Sequence, residues 1–344
     1  MADRTKEYAR RWACRPEGSN WGEFGPDDQL GSLNYITKEQ VLHAVQTITH
    51  GLRFCLSLPL DYPGGRELAP HRSPPVLRPT TRHDKPYFNY DFDREAPSCC
   101  DVGCDDQVTL STQYSTQWDS FAHIGHKFDR SGNGQVEQCY YNGYVAGQDI
   151  RMPEDRTEET RMPLGIDAFA ATPIQTRGVM LDIAHHFGRD YQNLTFEHIR
   201  HILTEDGIEI LPGDVLCLHT GFADEILGMK KQPDKTRLHN MCAALDGRDE
   251  ALLGWITQSR ISAIAADNFA VERVGLAPLD DLPAFVPLHY HCLFKRGIPL
   301  GELWLLTPLA LWLRANGRTD FLLTAPPLRL PGAVGSPVTP VATV

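Results

Sequence analysis

The chain has 344 residues, of which 42% are hydrophobic and 22% charged, enough for one large domain or two ordinary ones with an ample core. Its formal net charge of -11 argues against a broad basic footprint for nucleic acid. No run reaches the about 18 continuous apolar residues of a membrane-spanning helix, and residues 1–16 lack the apolar stretch of a secretory signal.

The expected location is therefore the cytoplasm, with no membrane and no nucleic-acid partner. The cysteines number nine, and Cys99, Cys100 and Cys104 form the only close group. That spacing is poor for a zinc cluster, so reduced thiols are expected.

Residues 1–36 read as an irregular N-terminal arm rich in Trp, Gly and Asp. Thr37 has the character of a helix N-cap, with Gln40 at the capping-box position. Val41, Leu42, Val45 and Ile48 follow as a helical apolar stripe, and Gly51 is placed to end the helix. Residues 61–106 are dense in Pro, Gly, Asp and Arg. They read as a long loop region that shapes a site or an oligomer contact, or is a solvated excursion.

The second half alternates strand and helix patterns. Strands are expected at 178–183, 214–219, 261–266 and 321–324, and helices at 195–205, 250–260 and 303–315. Thr195 caps the first of these helices and Gly207 lies where it stops. The alternation predicts an α/β fold over 37–344, a single domain with a central mixed β-sheet and flanking helices. No glycine-rich dinucleotide or Walker A pattern occurs.

The densest polar signal is Gln113-Tyr114-Ser115-Thr116-Gln117-Trp118-Asp119-Ser120-Phe121-Ala122-His123. Asp119 and His123, four apart, can converge on one side of a helix or a turn. A carboxylate and an imidazole are usual ligands for Zn2+ or Mn2+, although this spacing alone is a weak signal. Downstream, His289, His291 and Glu302 flank an apolar stretch. A carboxylate there is paired, protonated or bound to a cation, or else sits at a helix N-terminus where the macrodipole favours it.

Asp267, Asn268 and Glu272 follow a strand. They read as site residues, or more plainly as an N-cap with a solvated Glu272. Trp118, Phe121 and the pair Tyr140–Tyr141 line an aromatic-accepting pocket or belong to the core. His185 and His186 read as structural. His126 reads as a supporting group near the site or a surface residue.

The segment STQWDSFAHIGH, with Tyr141-Asn142-Gly143-Tyr144, resembles the metal-binding segment of the cyclase family, which includes bacterial kynurenine formamidase and isatin hydrolase. Thr116, Asp119 and His123 match that family's H-x-G-T-H-x-D-x-P-x-H pattern. WGEFGPDDQLGSLNYIT, RGVMLDI, PGDVLCLHTG, the His289-to-Glu302 segment and the closing stretch 325–337 resemble further parts of it. Gln113 and Gln117 stand where the family has its first two His, and Ser115 replaces Gly.

The resemblance implies the swivelling β/β/α cyclase-like fold and one divalent ion, Mn2+ or Zn2+. Asp119, His123, His289 and Glu302 would hold it, with Gln117 closing the site. Gln113, Trp118 and Phe121 would contact substrate.

It further implies a metal-dependent hydrolase, with a metal-activated water cleaving an amide, formamide, lactam or lactone of a small, cyclic or aromatic compound. His289 would relay the proton and Glu302 would act as ligand or supporting base. A homo-oligomer, dimer or tetramer, is expected. The loss of two His leaves a non-catalytic binding or scaffold member as the alternative, and a metal-dependent lyase or dehydratase as a weaker one.

Overall fold

A computed structural model describes residues 10–157, 161–275, 277–279 and 282–344. Part of the expected arm, residues 1–9, lies outside the described residues. The centre is a nine-stranded mixed sheet. Its strands, numbered along the chain, are β1 (Arg53–Cys55), β2 (Gln117–Asp119), β3 (Gln175–Leu181), β4 (Val215–Leu218), β5 (Ala263–Ala266), β6 (Leu300–Glu302), β7 (Asp320–Thr324), β8 (Gly335–Pro337) and β9 (Val341–Thr343). Their spatial order is β1-β9-β7-β3-β4-β5-β6-β2-β8.

The four middle strands β3, β4, β5 and β6 are parallel, and the outer ones are antiparallel. The parallel strands are buried on both faces, which explains their continuous apolar runs, VLCL and AIAA among them. The α/β reading and the mixed sheet are thereby met.

The helices behave as their caps dictate. Thr37 accepts from the Gln40 backbone N–H at 3.3 Å and opens α1 (Lys38–Val45). Thr195 and His198 form a capping box at the start of α2 (Phe196–Glu205). Asp249 accepts from Ala251 and Leu252 ahead of α3 (Glu250–Ser259). The last helix, α4 (Thr307–Ala315), starts four residues later than the apolar pattern suggests. Pro308 is comfortable only in a helix's first turn, and Leu305 donates instead to the Leu56 carbonyl.

Two expectations are corrected. The stripe on α1 faces outward, with Leu42 66% and Val45 47% exposed, because Ala44 is the side chain turned to the sheet. Gly51 does not end that helix, which stops at Val45 with the Thr47 hydroxyl on the Ala44 carbonyl.

The region 61–106 is not one loop. Antiparallel ladders join Val76–Pro79 to Asp106–Thr109, Thr81–Arg82 to Lys85–Pro86, and Tyr90–Asp91 to Val102–Gly103. Within the N-terminal arm, Trp21 is fully buried and its indole N–H donates to the Phe294 carbonyl at 2.8 Å. Gly31 approaches Gly297 so closely that a Cβ there would lie 2.2 Å from the Gly297 oxygen, so only glycine fits. All nine cysteines are unpaired, as expected.

The carboxyl ends of the parallel strands carry a polar edge. Asp182 follows β3, His219 follows β4 and Asp267 follows β5. Asp182 accepts from His219 Nδ1 at 2.7 Å, and His219 Nε2 meets the Thr307 hydroxyl at 3.1 Å. Burial pulls the His219 pKa down, but the Asp182 hydrogen bond and the Asp267 charge carry it above its ordinary value. Asp267 accepts from the Thr220 backbone and hydroxyl and from the Gly221 N–H. These groups satisfy one another and fix the strand ends from which the site is built.

Candidate metal centre

Register brings the two distant signals together. In the β6–β2 ladder Glu302 stands opposite Gln117, Gly301 opposite Trp118 and Leu300 opposite Asp119. Side chains alternate across a strand, so Gln117, Asp119 and Glu302 share one face and Trp118 takes the other. On that other face Gly301 makes room: a Cβ there would lie 2.8 Å from the Trp304 indole nitrogen and 3.0 Å from the Trp118 ring.

The chain leaves β2 in a tight turn, with the His123 N–H on the Ser120 carbonyl at 3.0 Å, which swings His123 back toward Asp119. His289 closes the short helix Pro287–His289, immediately before a π-helical turn, Tyr290–Arg296. Such wide turns recur at functional sites.

One ligand atom each from Asp119, His123 and His289 lies within 4.8 Å of the other two, the one such group among the described residues. Asp119 Oδ2 is 4.0 Å from Nε2 of His123 and 4.0 Å from Nε2 of His289. That oxygen is buried and has no hydrogen-bond partner, and the same holds for Gln117 Oε1. An orphaned buried carboxylate oxygen costs free energy unless something fills the space before it. Two imidazoles and a carboxylate with an open fourth position form the donor set of a catalytic Zn2+ or Mn2+ site, so the residues fit a divalent ion.

The electrostatics agree. Burial raises the Asp119 carboxyl above its ordinary value and lowers the His123 imidazole. Burial also opposes charge on His289, but Glu272 and Glu302 together raise it to about 10. A cation at the centre would compete with these protons.

Glu302 lies beside the trio. Its Oε2 accepts from Gln117 Nε2 at 3.0 Å and its Oε1 is 3.4 Å from His289 Nε2. Burial pushes the Glu302 carboxyl upward, but the His289 hydrogen bond and the charges of Arg72, His289 and His123 together hold the group below its ordinary value.

Glu272, which the sequence leaves as a site residue or, more plainly, a solvated one, supports the site. It is 1% exposed, not solvated, and its Oε1 accepts from both the backbone N–H (2.9 Å) and Nδ1 (2.7 Å) of His289. Its Oε2 accepts from the Leu288 N–H at 2.9 Å. With Nδ1–H held there, His289 presents Nε2 to the centre as a ligand lone pair, the arrangement in which a carboxylate orients a metal-binding imidazole. An ion on Nε2 would leave that nitrogen no proton to relay.

Ala270 (φ +69°) and Val271 (φ +59°), just before Glu272, and Leu303 (φ +57°), just after Glu302, occupy the left-handed region. Such strain costs about 1–3 kcal/mol per residue and gathers at functional sites.

The other expected residues are placed as follows. Gln113 Nε2 donates to Asp119 Oδ1 and so aims the carboxylate. Trp118 and Phe121 are core rather than substrate-facing. Trp118 donates to the Ala325 carbonyl at 2.9 Å, and Phe121 packs 5.0 Å from both Tyr141 and Phe169. His126 packs at a tilt against Tyr290, ring centres 4.4 Å apart, outside the trio. His291 turns away to the Thr257 hydroxyl at 3.0 Å, and burial drives its pKa to about 3. His186 pairs with Asp206 at 3.0 Å. Asn268 bonds the Ala243 carbonyl through Nδ2 at 2.9 Å.

The family model described as "Putative cyclase" matches residues 47–273, which contain Asp119, His123 and Glu272 but end before His289 and Glu302. Among solved structures, one described as a novel cyclase is 31% identical, with TM-score 0.76, over 95% of this chain and 97% of its own. Isatin hydrolase A from Labrenzia aggregata, bound to benzyl benzoate, is 15% identical with TM-score 0.55, over 89% of this chain and 98% of its own. Isatin hydrolase A from Ralstonia solanacearum is 12% identical with TM-score 0.55, over 89% and 97%. These two show a shared fold. The search of curated proteins found no match. The family match spans more than half the sequence and the 31%-identical structure nearly all of it, so the chain belongs to the cyclase family.

Proposed function

We propose that the protein is a metal-dependent hydrolase of amide, formamide, lactam or lactone bonds in a small cyclic or aromatic compound. The observation that carries this reading is the buried, partnerless Asp119 Oδ2 set 4.0 Å from two imidazole nitrogens. Asp119, His123 and His289 would hold one ion, Mn2+ or Zn2+, with Gln117 Oε1 as a further oxygen.

When bound, such an ion polarises a carbonyl and acidifies water. Gln113 keeps Asp119 in place, and Glu272 holds the His289 proton on Nδ1. Glu302, whose Oε1 lies 3.4 Å from His289 Nε2, accepts the proton of the attacking water and returns it to the departing nitrogen or oxygen. Two proteins that share the fold are named isatin hydrolases, which supports the hydrolase reading. The substrate is a free small molecule.

The test is turnover of a panel of formamides, lactams and lactones with added Mn2+, run in 18O-labelled water. One labelled oxygen per carboxylate product is expected. Loss of water from substrate, with no label taken up, would make the enzyme a lyase, and bound metal without turnover of any panel member would make it a binding protein.

A further inference from the structure

Among the described residues, the smaller of the two apolar clusters gathers Leu58, Leu68, Phe222, Ile226, Leu238 and Leu303. It is not filled. A cavity of about 170 Å3 opens within it, walled by Leu68, Phe222, Leu238, Met241 and Phe269. Protein interiors leave few voids larger than a water molecule, and an apolar cavity of about 150 Å3 takes up a benzene. The hollow therefore has room for one ring-sized molecule.

Its rim is polar. Tyr191, 38% exposed, and the half-buried Arg273 stand there, with the guanidinium carbon 5.2 Å from the centre of the Tyr191 ring. No carboxylate among the described residues pairs with Arg273. Glu272 is the one acid in the wall, and its two oxygens are spent on Leu288 and His289. The charge offered to the hollow is thus positive. Asp119, His123, His289 and Glu302 take no part in the wall, so the cavity is a compartment apart from the metal centre.

We propose that this cavity is a second small-molecule site, separate from the metal centre, that takes a single-ring carboxylate. The ring lies among Phe222, Met241 and Phe269, where aromatic faces and a thioether favour an arene. The carboxylate meets Arg273 at the rim, since a guanidinium matches a carboxylate in a fork. The site needs no ion, so it stands or falls apart from the hydrolase reading.

Isothermal titration of benzoate, and of its neutral counterpart benzamide, into metal-free wild type, Asp119→Ala, Arg273→Met and Met241→Trp tests this, each protein shown to be folded by its melting curve. Wild type should take a single benzoate, held about tenfold or more tighter than benzamide, the value of a charged hydrogen-bonded contact. Asp119→Ala should bind both ligands as wild type does. Arg273→Met should bring the preference below about twofold. Met241→Trp, which puts an indole into the hollow, should bind neither. No benzoate binding by wild type, a preference that survives in Arg273→Met, binding undiminished in Met241→Trp, or binding lost in Asp119→Ala overturns the site.

Discussion

Asp119→Ala is expected to give a folded protein that holds no divalent ion and has lost turnover by about 10³-fold or more, because nothing else then acidifies water at the centre. The carboxylate is fully buried and one of its oxygens is unpaired, so it contributes little to folding without a cation. The metal-free variant should therefore melt close to metal-free wild type.

The difference appears on adding Mn2+. At a hundredfold excess over Kd, binding stabilises the native state by about 2.7 kcal/mol. For a chain of 344 residues that raises Tm by about 4 °C in wild type, and Asp119→Ala should show no rise. A variant that keeps the rise and the bound metal would remove Asp119 from the site.

Glu272 variants carry the second large effect. Glu272→Gln preserves size and one acceptor oxygen, yet it replaces a carboxylate that takes three N–H groups, those of Leu288, His289 and the His289 ring. The ring then loses the group that fixes its tautomer. Metal affinity or activity should fall by about 10–100-fold, the range for partners that orient a metal-binding imidazole. Glu272→Ala leaves all three donors buried and unpaired, at about 1–3 kcal/mol each, and should cost at least about 3 kcal/mol of stability. Metal affinity measured by competition with a chelator separates the cases. Wild-type affinity in Glu272→Gln would show that the His289–Glu272 contact is structural only.

Glu272 also shows where sequence reading stops. The strand cores VML and VLCL and the Thr37 and Thr195 caps were legible, because local pattern and capping chemistry decide them, although Ile183, read as strand, opens a short helix. The late start of α4 was legible too, in Pro308, but the apolar run outweighed it. The outward stripe of α1 was not, since Leu42 and Ala44 differ only in which one the sheet happens to meet.

Asp119, His123 and His289, which the structure brings together, stand out in the sequence because their residue types and family spacing signal metal chemistry. Glu272 sits 17 residues before His289, behind two left-handed residues that no propensity would place there. The roles of Gln113 and Trp118 follow from strand alternation and the β6–β2 register, which only the folded sheet supplies.

The central claim is that Asp119, His123 and His289 converge on one cation. Anomalous diffraction from crystals grown with Mn2+ tests it most directly. The account predicts a single strong peak about 2.0–2.3 Å from Asp119 Oδ2 and from one ring nitrogen each of His123 and His289. A metal peak elsewhere in the protein, or no peak with Asp119 Oδ2 hydrogen-bonded to a neighbour, would contradict it.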